Sequence, residues 1–124
     1  MKVDQDKLRK HVTIKLSRED EDTDYRTSFD DPDTVDWIRA QLRSGNEWAW
    51  CCAHVTVSYR GFTGEEYLGG CSYESEANFK ADGGYESMVD TAIEEIIQEI
   101  ERFMDGPDIW LHTNPSCLVC ASQP

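Results

Sequence analysis

A chain of 124 residues carrying 25 Asp and Glu against 12 Lys and Arg has a formal net charge of −13 at pH 7. That length suffices for one domain with its own core. The acid excess disfavours nucleic acid and anionic lipid as direct partners and favours a basic protein surface. No apolar run reaches the roughly 20 residues of a membrane span, and the opening Met-Lys-Val-Asp-Gln-Asp has no apolar signal core, so no membrane association and a cytoplasmic location are expected.

The charge is unevenly placed. Residues 1–16 hold five Lys or Arg against two Asp, residues 17–37 hold nine acids against two Arg, and residues 86–110 hold eight acids against one Arg. Lys2–Lys10 reads as a frayed basic lead-in. In His11–Ser17, Val12, Ile14 and Leu16 alternate with polar neighbours, which predicts a strand with one buried face. Residues 18–31 are too charged to bury and have no period, so an exposed, mobile acidic loop is expected there.

Asp31-Pro32 is a helix start, because an Asp side chain caps free N–H groups and Pro fits the first helical position. The helix is predicted to run to Arg43 on Val35, Ile38 and Leu42, with Trp37 at the edge of the stripe and Ser44-Gly45 ending it. From residue 48 the period changes to two. Ala49, Cys51, Ala53, Val55, Val57 and Tyr59 point one way, and Trp48, Trp50, Cys52, His54, Thr56 and Ser58 the other, as in a long central strand. A turn over 60–65 with two Gly then leads into a partner strand over 66–73, where Gly69-Gly70 marks a bulge or a close backbone approach.

A polar connection over 74–84 holds Phe79, expected to tuck into the core. After it comes the dominant stripe of the chain: Val89, Ala92, Ile93, Ile96, Ile97, Ile100, Phe103 and Met104 predict one amphipathic helix over 85–104, stopped by Gly106-Pro107. Ile109–Leu111 is a candidate short final strand. The expected fold class is α+β: a small antiparallel sheet in β-α-β-β-α order with two helices packed on one face. Residues 1–112 form the single domain and 113–124 an irregular tail, with a helix-swapped homodimer as the alternative.

No motif identifies a reaction. Cys117-Leu-Val-Cys120 has the spacing of a zinc-binding pair, with His112 upstream, but four ligands are usual and Cys51, Cys52 and Cys71 fall on predicted strands, where thiols act as small hydrophobes. Five cysteines in this arrangement make a poor disulfide framework, and reduced thiols are expected. His54 lies two residues from Cys52, which aligns the side chains on a strand face without placing them in hydrogen-bonding reach. Phosphate-loop and hydrolase signatures are absent. The expectation is a non-enzymatic protein with no cofactor and no bound metal.

Two surfaces remain as candidate sites. On the long helix Asp90, Glu94, Glu101 and Asp105 fall along one ridge at helical steps of about 5–6 Å, comparable with the charge spacing of a nucleic-acid backbone. With Glu19, Asp20, Glu21 and Asp22 of the acidic loop they form the predicted contact surface for a basic partner. The alternative is a ligand face on the hairpin, formed by Trp48, Trp50, His54 and Arg60.

The hairpin also carries a resemblance. Glu47-Trp-Ala-Trp-Cys-Cys, Tyr67-Leu-Gly-Gly-Cys-Ser-Tyr-Glu-Ser-Glu and Phe79 followed by Gly-Gly-Tyr-Glu-Ser-Met-Val resemble a pattern in small uncharacterised proteins of phages, prophages and other mobile elements, over residues 47–104. That group has no settled activity, so the resemblance assigns no functional residue. It implies a setting in a host cytoplasm, where small acidic proteins of this kind inhibit nucleases or defence complexes. The expected function is therefore inhibition of a basic, nucleic-acid-handling host protein by nucleic-acid mimicry. Small-molecule binding or sequestration by the Trp/Tyr face is the alternative.

Overall fold

The computed structural model describes residues 3–104. In chain order these form α1 (Gln5–Arg9), β1 (Thr13–Glu19), α2 (Tyr25–Ser28), α3 (Pro32–Arg43), a single 3-10 turn (Glu47–Ala49), β2 (Cys51–Tyr59), β3 (Phe62–Cys71), α4 (Glu76–Ala81) and α5 (Gly83–Met104). The predicted short strand at 109–111, the tail at 113–124, and Asp105, His112, Cys117 and Cys120 lie outside the described residues.

The fold is α+β. β2 is central in a three-stranded antiparallel sheet of order β1-β2-β3. Its residues alternate without a break: Cys51, Ala53, Val55, Val57 and Tyr59 are buried and the even positions are half-buried. The buried face meets the isoleucine stripe of α5, where Val89, Ala92, Ile93 and Ile96 are all fully enclosed. Gly64 sets how close helix and sheet come. A Cβ at Gly64 would overlap the backbone carbonyl of Ala92, so the strand accepts the helix at this distance only because Gly64 has no side chain. α3 keeps the predicted bounds and its Asp31 cap, whose side chain accepts from Asp33 N at 3.0 Å. Its principal contacts run to the 3-10 turn and α2, and Ile38 is its one buried residue.

Five local expectations are corrected. The basic lead-in is instead a capped helix: Asp4 accepts from Lys7 N, and Val3 and Leu8, at 3% and 0% exposure, enter the core against α5. A five-residue helix has too little intrinsic stability to be read from its sequence, and here α5 supplies what it lacks.

The loop over 18–31 is organised rather than mobile. Arg18 and Glu19 complete β1, Asp24 caps α2 through Arg26 N at 2.9 Å, and the segment is fastened to Trp50. The hairpin turn is only two residues long. Arg60 and Gly61 have φ of 48° and 87°, and β3 starts at Phe62 rather than at residue 66. Positive φ at both central positions matches the twist of antiparallel strands.

Finally, residues 47–49 wind into a 3-10 turn that breaks the strand alternation before Cys51, and the polar connection after residue 74 contains α4, capped by Ser75. Phe79 is fully buried as expected, stacked on Trp48 at 5.1 Å and edge-on to Tyr73 and Tyr85. The Gly69-Gly70 bulge is present: Cys51 pairs with Cys71 but Ala53 pairs with Leu68, and Gly70 has a φ of 66°.

Candidate functional site

The acidic side of α5 is partly occupied by the protein itself. Arg9 of α1 pairs with Glu86 at 2.5 Å and with Asp90 at 2.7 Å, and Val3 N donates to Glu101 Oε2 at 3.3 Å. On β3, Glu65 N donates to Glu95 Oε2 at 2.9 Å. The Glu66 carboxyl hydrogen-bonds that of Glu95, which together with desolvation and like-charge repulsion raises its pKa. Of the predicted ridge, Glu94 is exposed with no ion pair among the described residues, whereas Asp90 and Glu101 hold α1 in place.

The second acidic stretch folds over the indole of Trp50. Trp50 Nε1 donates to Thr23 O at 2.8 Å, and the rings of Tyr25 and Phe29 meet it edge-on at 6.4 and 5.7 Å. Glu21 is an anchor. Its carboxylate accepts from Gly70 N across the bulge and from Thr23 N, and these backbone donors lower its pKa. Glu19, Asp20 and Asp22 are exposed, as are Asp30, Asp33 and Asp36 further along. The cations of this stretch are engaged locally: Arg18 with Glu47, Arg26 with Asp24, and Arg39 with Asp36.

The residues of the alternative ligand face are not brought together. Trp48 packs on Phe79 against the core, whereas Trp50 lies under Tyr25 and Phe29. The 3-10 turn is what separates them, because it removes the two-residue period that would have aligned the indoles. Arg60 stands at the hairpin tip, 5.5 Å from the Tyr59 ring, where His11, Thr13 and Ser58 share with it a hollow of about 310 Å³.

His54 is the member that stays on the open face of the sheet. Its ring stacks on Tyr67 at 4.2 Å with an interplanar angle of 7°. Around it, Ser17 Oγ lies 3.4 Å from Nδ1, Thr56 Oγ1 3.2 Å from Nε2, and the Glu19 and Glu65 carboxylates 3.8 and 3.5 Å away. Tyr67, 56% exposed, was missed as a partner of His54 because strand pairing and not sequence distance sets it opposite.

Cys51 and Cys71 face each other across β2 and β3, both buried. Burial, and for Cys51 the neighbouring Cys71, pushes the Cys51 thiol up to about 12 and raises Cys71 as well, so both are protonated packing groups rather than nucleophiles. No cluster of three or more His, Cys, Asp or Glu among the described residues has a metal-holding arrangement.

A groove of about 430 Å³ opens beside the bulge, lined by Phe29, Leu68, Gly69, Gly70, Tyr73 and Asp82 among others. Tyr73 Oη donates to Asp82 Oδ2 at 2.5 Å, and that bond, with burial, pushes the phenol up to about 12. This feature went unseen in the sequence, since Phe29 and Asp82 lie far apart from each other and from the Gly-Gly pair along the chain.

No protein-family model matches the chain, and no curated protein or solved structure gives a significant match.

Proposed function

We propose that this is a non-enzymatic acidic binding protein that occupies a basic surface on a protein partner, one that otherwise handles nucleic acid, and does so as a surrogate for phosphate. The observation that carries the reading is the segment from Glu19 to Asp36. It holds nine acids, its one cation, Arg26, is spent on Asp24, and it is held to Trp50 as an ordered anionic body rather than a loose tail. Ordered charge costs less to dock than disordered charge, because less conformational freedom is lost on binding. The setting that fits is a mobile element acting on a host complex in the host cytoplasm. The contact surface is led by Glu19, Asp20 and Asp22, extended by Asp30 and Asp33, with Glu94 of α5 as a secondary element.

The test is binding to one purified partner, first captured from host lysate, at low and moderate salt. Replacing Asp20, Asp22 and Asp30 by Asn should weaken binding tenfold or more while leaving the fold intact, and duplex DNA should compete. Salt-insensitive binding that survives the three substitutions sinks the proposal. The second reading, a small molecule on the open sheet face, rests on the His54–Tyr67 stack and its ring of hydroxyls and carboxylates. It predicts a ligand response that Tyr67→Ser abolishes and that the Asp substitutions leave alone.

A further inference from the structure

The bulge of β3 leaves Gly69 and Gly70 without register partners on β2 and gives the groove beside them a floor with no side chains. Its volume falls within the range of about 300–1,000 Å³ typical of small-ligand sites. Phe29 and Leu68 supply apolar walls, and Leu68 is 38% exposed. At the polar end Asp82 spends one oxygen on Tyr73 and keeps a second, while the phenol oxygen keeps its own lone pairs. The Glu21 carboxylate sits against the floor, bonded to Gly70 N and close enough to Gly69 that a Cβ there would come within 2.7 Å of it. No Lys or Arg is among the lining residues described.

We propose that this groove receives one lysine or arginine side chain of the basic partner, its alkyl stem between Phe29 and Leu68 and its cationic head at Asp82 and Tyr73. The proposal rests on the reading above that the partner is basic, and it adds where that partner is gripped. Long cationic side chains suit a site with apolar walls and an anionic end, because the stem buries while the head keeps its charge paired. An anion would face two carboxylates. A wholly apolar ligand would cover Asp82 without giving it a donor, which costs free energy. The groove is also continuous with the acidic segment, since Phe29 precedes Asp30 directly and Glu21 reaches Gly70.

The experiment is an NMR titration of the full chain with N-acetyl-lysine methylamide, against N-acetyl-norleucine methylamide as the neutral counterpart. The lysine probe should move the amides of Gly69, Gly70 and Ser72 saturably, in the millimolar range expected of a single side chain, and should change the fluorescence of Trp50, whose ring lies against Gly70. The norleucine probe should bind at least tenfold more weakly. Asp82→Asn should cost the lysine probe about tenfold, and Tyr73→Phe, which keeps the ring in place, a smaller loss.

Equal response to both probes, or lysine binding unchanged in Asp82→Asn, overturns the proposal. The probe needs no partner, so the two readings fail separately. Saturable, Asp82-dependent binding of the lysine probe leaves the groove standing even if no basic partner is found. Partner binding that depends on Asp20, Asp22 and Asp30 leaves the acidic-surface reading standing even if the groove stays empty.

Discussion

The two acidic regions look alike as sequence and behave differently as structure. On α5 the carboxylates that face other elements work as internal acceptors: Glu86 and Asp90 bind Arg9, Glu101 takes Val3 N, and Glu95 takes Glu65 N. Between Glu19 and Asp36 the structural duty falls on Glu21, Asp24 and Asp31, and the remaining acids face solvent. An acid count therefore overstates the outward field of a helix packed among basic or N–H-bearing neighbours, and describes an outer segment better.

The comparison is broken most strongly at α1. Leu8→Ala removes a fully buried side chain and should cost about 2–5 kcal/mol. In urea denaturation followed by hydrogen exchange, residues 3–10 should lose protection and Glu86, Asp90 and Glu101 should become available, making α5 resemble the outer segment. Next is Trp50→Ala, which removes the ring that Tyr25 and Phe29 rest on. Because the indole is half-buried, about 2–3 kcal/mol is expected, below the ~3–5 of an enclosed ring. Exchange should rise over residues 19–31 and stay slow in α5; uniform loss of protection would mean that the segment and the core unfold as one.

Acid should separate the regions by sign. Glu66 has a raised pKa, so its contribution is fully present below the ordinary carboxyl value of 4.5 and is lost as pH rises through the raised value. Glu21 has a lowered pKa, so its contribution is present above 4.5 and is lost as pH falls through the lowered value. Stability measured against pH should therefore show Glu66→Gln more stable than wild type at pH 7 with the gap closing in acid. Glu21→Gln should be less stable at pH 7, and its gap should also close in acid. The smallest effect is Arg9→Gln. Partly exposed ion pairs are worth about 0–1 kcal/mol, so denaturation should shift little, while any partner that uses the back of α5 should bind more tightly.

What could be read from the sequence was what repeats. The alternation of β2 and the isoleucine stripe of α5 each carry seven or more positions in phase, and α3 announces itself through Asp31-Pro32 and Ser44-Gly45. α1 offers only Val3 and Leu8, and its burial depends on a helix some ninety residues away. The acidic segment reads as unstructured because its fastening comes from outside, through Trp50 and Gly70. Of the candidate sites, the exposed acids of the segment were legible, whereas the pairing of Asp90 and Glu101 with α1, the separation of Trp48 from Trp50 and the groove at the bulge are products of the fold. Tyr67 beside His54 follows from the strand pairing once the register is known.

β3 has a further consequence to bear, since it is an outer strand of ten residues with part of its N–H ladder pointing away from the sheet. Such an edge is a template on which another chain can add a strand, and through it a soluble protein drifts into aggregates. Here each acidic region sends one carboxylate to a backbone amide of that strand, Glu95 to Glu65 N and Glu21 to Gly70 N. A strand added to β3 would meet that negative charge at close range. Part of this chain's acidity is thereby turned inward onto its own sheet, where charge set against a strand is one of the ways an edge is kept from pairing with another chain.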